Sequence, residues 1–183
     1  MFLNFTNNIL LCLNMKKFVY ITTVGNTPLA VINSFWCVVR SEKINVIKVY
    51  LLCSETDEKR KISGTCNHFE EIKKKLLELA QALNISLSSE NIFKRPIAQE
   101  KIDTVYKEII EIYKENKIFN VCIDITGGRK TMSSGAMLAA KDLNLNCYYF
   151  WLYNPRNDGN KTLDEMTEFI NYELIKVHQI WKK

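Results

Sequence analysis

The chain has 183 residues, 25 Lys and Arg against 20 Asp and Glu (net charge +5), 47% hydrophobic and 25% charged residues. That is the composition of about one globular domain large enough to bury a core. It excludes a disordered chain, a small disulfide scaffold and a polytopic membrane protein, since no apolar run reaches ~20 residues. The mild positive charge permits a polyanionic partner without requiring one.

Residues 1–14 (MFLNFTNNILLCLN) have no basic residue ahead of the apolar part and no small-residue cleavage site, so they make a poor signal peptide. They are also too short and too Asn-rich to span a bilayer. They read as an N-terminal extension, weakly ordered or packed on, with a membrane-surface anchor as the other reading. Met15, before Lys16-Lys17, looks like an alternative start, and the domain is taken as 15–161.

KFVYITTV (17–24) is a β-branched, aromatic strand broken by Gly25-Asn26, and Pro28 suits the first turn of a helix over 29–40. NVIKVYLLC (45–53) is apolar on both faces, as in a strand covered on two sides. SETDEKRKISG (54–64) is a charged loop, and Thr65 is a candidate cap for the helix that follows, where Phe69, Ile72, Leu76, Leu79, Ala80 and Leu83 share one face. A third strand is expected near Ile85–Phe93, then an amphipathic helix over 99–116. Next come a strand over 118–126 ending in a Gly-Gly turn, a small-residue helix over 131–144 and a fifth strand over 146–153. Residues 154–160 read as a loop and 162–183 as a final amphipathic helix.

Strands separated by helices imply a mainly parallel sheet with right-handed crossovers, hence a Rossmann-like three-layer α/β fold. Ligands of such sheets sit beyond the carboxyl ends of the strands, which directs attention to the loops after strands one, two, four and five. The six cysteines form no CxxC pair, and His68 and His178 lie far apart, so neither a zinc site nor another metal or cofactor is expected. Cys53, Cys122 and Cys147 lie in β-rich apolar runs and read as small buried hydrophobes in a reducing cytosol, and the location as cytoplasmic.

Two loops carry candidate chemistry. After strand one, Thr22-Thr23-Val24-Gly25-Asn26-Thr27-Pro28 places hydroxyls, a glycine and an amide where a helix N-terminus offers free N–H groups. The alternative is an ordinary turn with Thr27 as the cap. After strand four, Asp124-Ile125-Thr126-Gly127-Gly128-Arg129-Lys130-Thr131-Met132-Ser133 adds adjacent glycines, three hydroxyls and two cations at another helix start, the make-up of an anion site. Asp124 either takes part in chemistry or braces the turn. The spacing of a Walker A loop fails, and GxGxxG and GxSxG are absent. Glu55, Asp57 and Glu58 are followed by Lys59, Arg60 and Lys61, which reads as a mixed solvated loop. Among Tyr148, Tyr149, Trp151 and Tyr153, those near the strand end could stack on a base.

With both loops in view, the sequence resembles the CRISPR-associated Rossmann-fold (CARF) sensor domains. The Asp-x-Thr-Gly-Gly-x-Lys-x-Met pattern of Asp124–Met132 is its most specific part, and the match covers roughly Met15 to Tyr153. The resemblance implies a single CARF-type domain that forms a homodimer and binds cyclic oligoadenylate across the two-fold axis, with no DNA partner. About thirty residues follow Tyr153, so the chain looks most like the ring nucleases, which cut this cyclic messenger. By that resemblance Lys130 and Thr23 or Thr27 would be catalytic. Thr22, Gly25, Asn26, Asp124, Thr126, Gly127, Gly128, Arg129, Thr131, Met132 and Ser133 would bind the ligand. The other readings are a non-catalytic sensor acting through a partner or a membrane, and a transcription regulator, for which the single terminal helix is too little.

Overall fold

The computed structural model describes residues 16–59, 61–97, 101–153 and 172–182. In chain order these form β1 (Lys17–Thr23), α1 (Pro28–Glu42), β2 (Asn45–Ser54), α2 (Phe69–Ala82), β3 (Ile92–Ile97), α3 (Ile102–Glu115), β4 (Asn120–Asp124), α4 (Lys130–Asp142), β5 (Asn146–Leu152) and β6 (Tyr172–Lys176). One sheet runs in the order β3-β2-β1-β4-β5-β6. β1 to β5 are parallel, and β6 is antiparallel to β5. The fold is the expected Rossmann-like α/β sandwich.

The alternation of side chains along each strand feeds two cores. From β1, Phe18 and Tyr20 enter the core shared with Val31, Phe35 and Val38 of α1 and Ile72 and Leu76 of α2. Val19 and Ile21 enter the opposite core with Val105 and Ile109 of α3 and Met132 and Ala136 of α4. This is why the apolar run of a central strand shows no period of two: both faces are covered. The order 3-2-1-4 makes β1 and β4 neighbours, with Thr22 directly opposite Asp124. The turns after β1 and β4 therefore leave the same rim side by side, where the crossovers diverge.

Three expectations about elements need correction. The third strand is Ile92–Ile97, preceded by a 3-10 turn at Ser89–Asn91. The serines of 86–89 favour a turn, and Pro96 is tolerated because β3 is an edge strand. The C-terminal helix is not present over 172–182: Tyr172–Lys176 pairs with Tyr148–Leu152, and a 3-10 turn covers Val177–Ile180. Leu174 packs toward one core and Ile175 toward the other, the alternation of a strand that also satisfies the open edge of β5. The remainder of that helix, residues 162–171, lies outside the described residues, as do residues 1–14 and the loop 154–160. Thirdly, Cys122 and Cys147 are free and buried as expected, and so is Cys37, but Cys53 is disulfide-bonded to Cys66. Cys66 follows a charged loop in sequence, and only the return of that loop to the end of β2 brings it beside Cys53. Among the described residues no helix is long and apolar enough to cross a membrane.

Gly135 sets the spacing between α3 and α4. A Cβ there would lie 2.5 Å from the Ile102 carbonyl oxygen and 2.9 Å from Val105 Cβ. Replacing a mid-helix glycine by alanine ordinarily gains about 1 kcal/mol. Here the clash with backbone outweighs it, since overpacking costs ~1–3 kcal/mol. Gly135→Ala is therefore expected to lower the urea midpoint; a raised midpoint would show that α3 moves aside without cost.

Candidate functional site

The rim is organised below its surface by Asp124, which is fully buried at the end of β4. One carboxylate oxygen accepts from the Thr22 hydroxyl (2.8 Å) and the Ser34 hydroxyl (2.6 Å); the other accepts from the Thr126 amide (3.0 Å) and hydroxyl (2.5 Å). β1, α1 and the turn after β4 thus share one acceptor. The Thr126 hydroxyl in turn accepts from the Phe150 amide at 2.8 Å, which ties the turn to β5. Burial pushes the Asp124 carboxyl above its usual value of 3.8, while the donors from Ser34, Thr126 and Thr22 pull it down.

Above this knot the two turns touch backbone to backbone. The Thr23 hydroxyl donates to the Gly127 carbonyl at 2.6 Å, and Ser133 donates to the carbonyls of Ile125 and Gly127 at 3.1 Å. A Cβ on Gly25 would lie 2.8 Å from the Gly128 nitrogen, and one on Gly127 would run into the Thr23 carbonyl. Gly128 also has φ +82°, a left-handed conformation that side chains disfavour. These glycines serve the approach of one turn to the other. Gly127, expected to bind the ligand, is itself buried beneath this joint.

The helices that follow the turns present their N-termini to the same rim. Neither α1 nor α4 has an acidic residue in its first turn, and neither Thr27 nor Arg129 caps its helix through its side chain. Pro28 occupies the first turn of α1, as expected. The leading N–H groups therefore carry no internal counter-charge, which suits an anion. Asn26, Thr27 and Lys130 are exposed here, and Gly25, Thr126, Gly128, Arg129, Thr131 and Ser133 are partly so.

The remaining candidates play other parts. Thr22, Thr23, Asp124 and Met132 are fully buried. Thr22 and Asp124 form the knot, Met132 fills the core beneath α4, and the Thr23 hydroxyl is committed to Gly127. Of the three residues expected to be catalytic, Thr23 is buried, and Thr27 and Lys130 are exposed. Asp124 braces the turn, one of the two roles open to it in the sequence. Two contributors were missed. Ser34 sits in the apolar helix LAVINSFWCVVR, and a polar residue on a buried helical face was the available signal. Thr65 does not cap the next helix; it bonds Ser54 at the loop base and donates to the Val24 carbonyl at 2.9 Å. Arg129 reaches the Ser63 carbonyl at 3.1 Å, so the loop after β2 is part of the rim and not merely solvated.

No protein-family model matches the sequence, and no curated protein does. Among solved structures, Csm6 of Enterococcus italicus bound to cyclic hexa-2'-fluoro-hexa-dAMP is similar, with a TM-score of 0.50 and 15% identity, over 74% of this chain and 33% of that one. Can2 of Sulfobacillus thermosulfidooxidans in complex with cyclic tetra-adenylate gives a TM-score of 0.47 and 16% identity, over 72% of this chain and 31% of that one. UDP-GlcNAc 2-epimerase of Neisseria meningitidis bound to UDP-GlcNAc gives 0.38 and 11%, over 81% and 37%. The chain spans about a third of the length of these proteins. The likeness to Csm6 is one of fold, the same Rossmann-like sheet.

Because Asp124 is raised in the folded state, its protonated form is the stabilising one. That contribution is complete below pH 3.8 and is lost as pH rises through the folded value. The stability of the wild type relative to Asp124→Asn, which does not titrate, is expected to fall between pH 4 and pH 7 in paired urea titrations; a constant difference would contradict the burial argument. Asp124→Ala strands the buried donors and is expected to cost ~2–5 kcal/mol.

Proposed function

We propose that this chain is a CARF-type protein that binds a cyclic oligoadenylate, in the first instance cyclic tetra-adenylate, at a homodimer interface and cleaves it. The observation that carries the reading is the meeting of two glycine turns and two helix N-termini at one rim, with Lys130 exposed beside them. The sequence pattern Asp124–Met132 supplies the family, and the Rossmann-like sheet shared with Csm6, itself solved with a cyclic adenylate analogue, agrees with it.

Pairing has support from the outer face of α4. Lys130, Ser134, Met137, Leu138 and Lys141 recur at helical spacing on that face, and Met137 and Leu138 are 38% and 44% exposed. A second copy packed isologously against this face would bring two Lys130 side chains toward one ligand.

In the proposed reaction a ribose 2'-hydroxyl attacks the adjacent phosphorus and the 5'-oxygen leaves. The hydroxyl proton passes to solvent and the leaving oxygen is protonated in turn. The product is linear, with a 2',3'-cyclic phosphate. The amides of the turns and helix starts orient the phosphate, Thr27 holds the phosphodiester toward in-line geometry, and Lys130 offsets charge growing on the non-bridging oxygens. The commitment of Thr23 to Gly127, which removes one of two candidate hydroxyls, favours the second reading: a non-catalytic sensor that passes the ligand signal to a partner protein.

Incubation of the pure protein with cyclic tetra-adenylate in EDTA separates the two. Linear product ending in a cyclic phosphate is expected; tight binding without product would establish the sensor. Lys130→Ala is expected to slow turnover at least ~100-fold, the loss typical of one charge-stabilising donor, with an unchanged unfolding midpoint. Unaltered turnover would remove Lys130 from the mechanism.

A further inference from the structure

We propose that Cys53 and Cys66 form a thiol–disulfide exchange site whose state sets how firmly the hairpin after β2 is held across the candidate rim. Its consequence for ligand affinity rests on the functional reading above; the exchange chemistry and the hairpin do not.

The two cysteines bracket the hairpin. Cys53 is the penultimate residue of β2, and Cys66 opens the 3-10 turn that leads into α2, 13 positions later. Between them the chain makes a two-residue ladder, with the Asp57 and Ile62 amides donating to each other's carbonyls at 2.9 and 3.0 Å. Gly64 lies so close to the backbone of Glu55 and Thr56 that no side chain fits there, and its amide donates to the Thr56 hydroxyl at 3.1 Å. The hairpin reaches both site turns: Thr65 donates to Val24 beside the first, and Arg129 of the second donates to Ser63. A covalent link at its base thus fixes the segment that both turns lean on.

Access is one-sided. Cys53 is 1% exposed, whereas Cys66 is half-buried. A low-molecular-weight thiolate therefore attacks Cys66 Sγ, forming a mixed disulfide there while Cys53 leaves as a thiolate and takes up a proton. A second thiolate attacks the outer sulfur of the mixed disulfide and releases Cys66 as a thiol. The sum is two small thiols oxidised to their disulfide and one protein disulfide reduced to two cysteines; a small disulfide such as oxidised glutathione drives the reverse. Both cysteine side chains pack on the α1/α2 core, which can keep its packing with two thiols.

The test uses the full chain poised with oxidised or reduced glutathione. After alkylation and digestion, the oxidised sample should contain a Cys53–Cys66 linked peptide that the reduced sample lacks. Amide hydrogen exchange at residues 55–59 and 61–64 should be at least ~10-fold faster in the reduced protein, with β1 and β4 unchanged. Cys66→Ser should show the fast exchange in both buffers. Absence of the linked peptide, or equal exchange in the two states, overturns the proposal. Cyclic tetra-adenylate should bind several-fold more weakly to the reduced form, which must order the hairpin on binding. Equal affinity would overturn the coupling to the rim. No binding in either state, together with the exchange difference, would support the hairpin device and overturn the functional reading.

Discussion

A single buried carboxylate organises the carboxyl rim of this sheet. Asp124 gathers donors from β1, from α1 and from the turn that follows it, so the starts of the two crossovers cannot move independently. Burying a carboxylate is costly unless its lone pairs are occupied, and here four donors occupy them. The arrangement trades some stability at neutral pH for a rim whose turns hold one conformation.

That rigidity is what allows the glycines to work. Gly25, Gly127 and Gly128 bring two stretches of main chain into van der Waals contact, and the Thr23 hydroxyl closes the joint. With the turns locked together, the N–H groups at the starts of α1 and α4 face one region of solvent. Partial positive charge from two helices, and the charge of Lys130, then fall on the same region of the rim.

The sequence showed the layers and the two loops because each rests on local signals: apolar runs of β-branched residues, helical stripes and adjacent glycines. It did not show that these glycines let the two loops approach each other, because that use and contact with a ligand demand the same missing side chain. Thr23 looked available for the same reason; its commitment to Gly127 depends on a partner 104 positions away. Tyr172–Lys176 carries a pattern short enough to fit helix or strand, and only the unfilled edge of β5 decides. The pairing of Cys53 with Cys66 and the grip of Arg129 on Ser63 both depend on how the charged loop folds back, which no local pattern encodes.

A Rossmann-like sheet hosts many chemistries, so function here must be argued from the rim. Titration of the ¹⁵N-labelled protein with cyclic tetra-adenylate, followed by amide chemical shifts, tests that most directly. The account predicts that the largest shifts fall on Gly25, Asn26, Gly128, Arg129 and Lys130. Shifts concentrated along Glu173–Ile180, or absent from both turns at saturation, would contradict it.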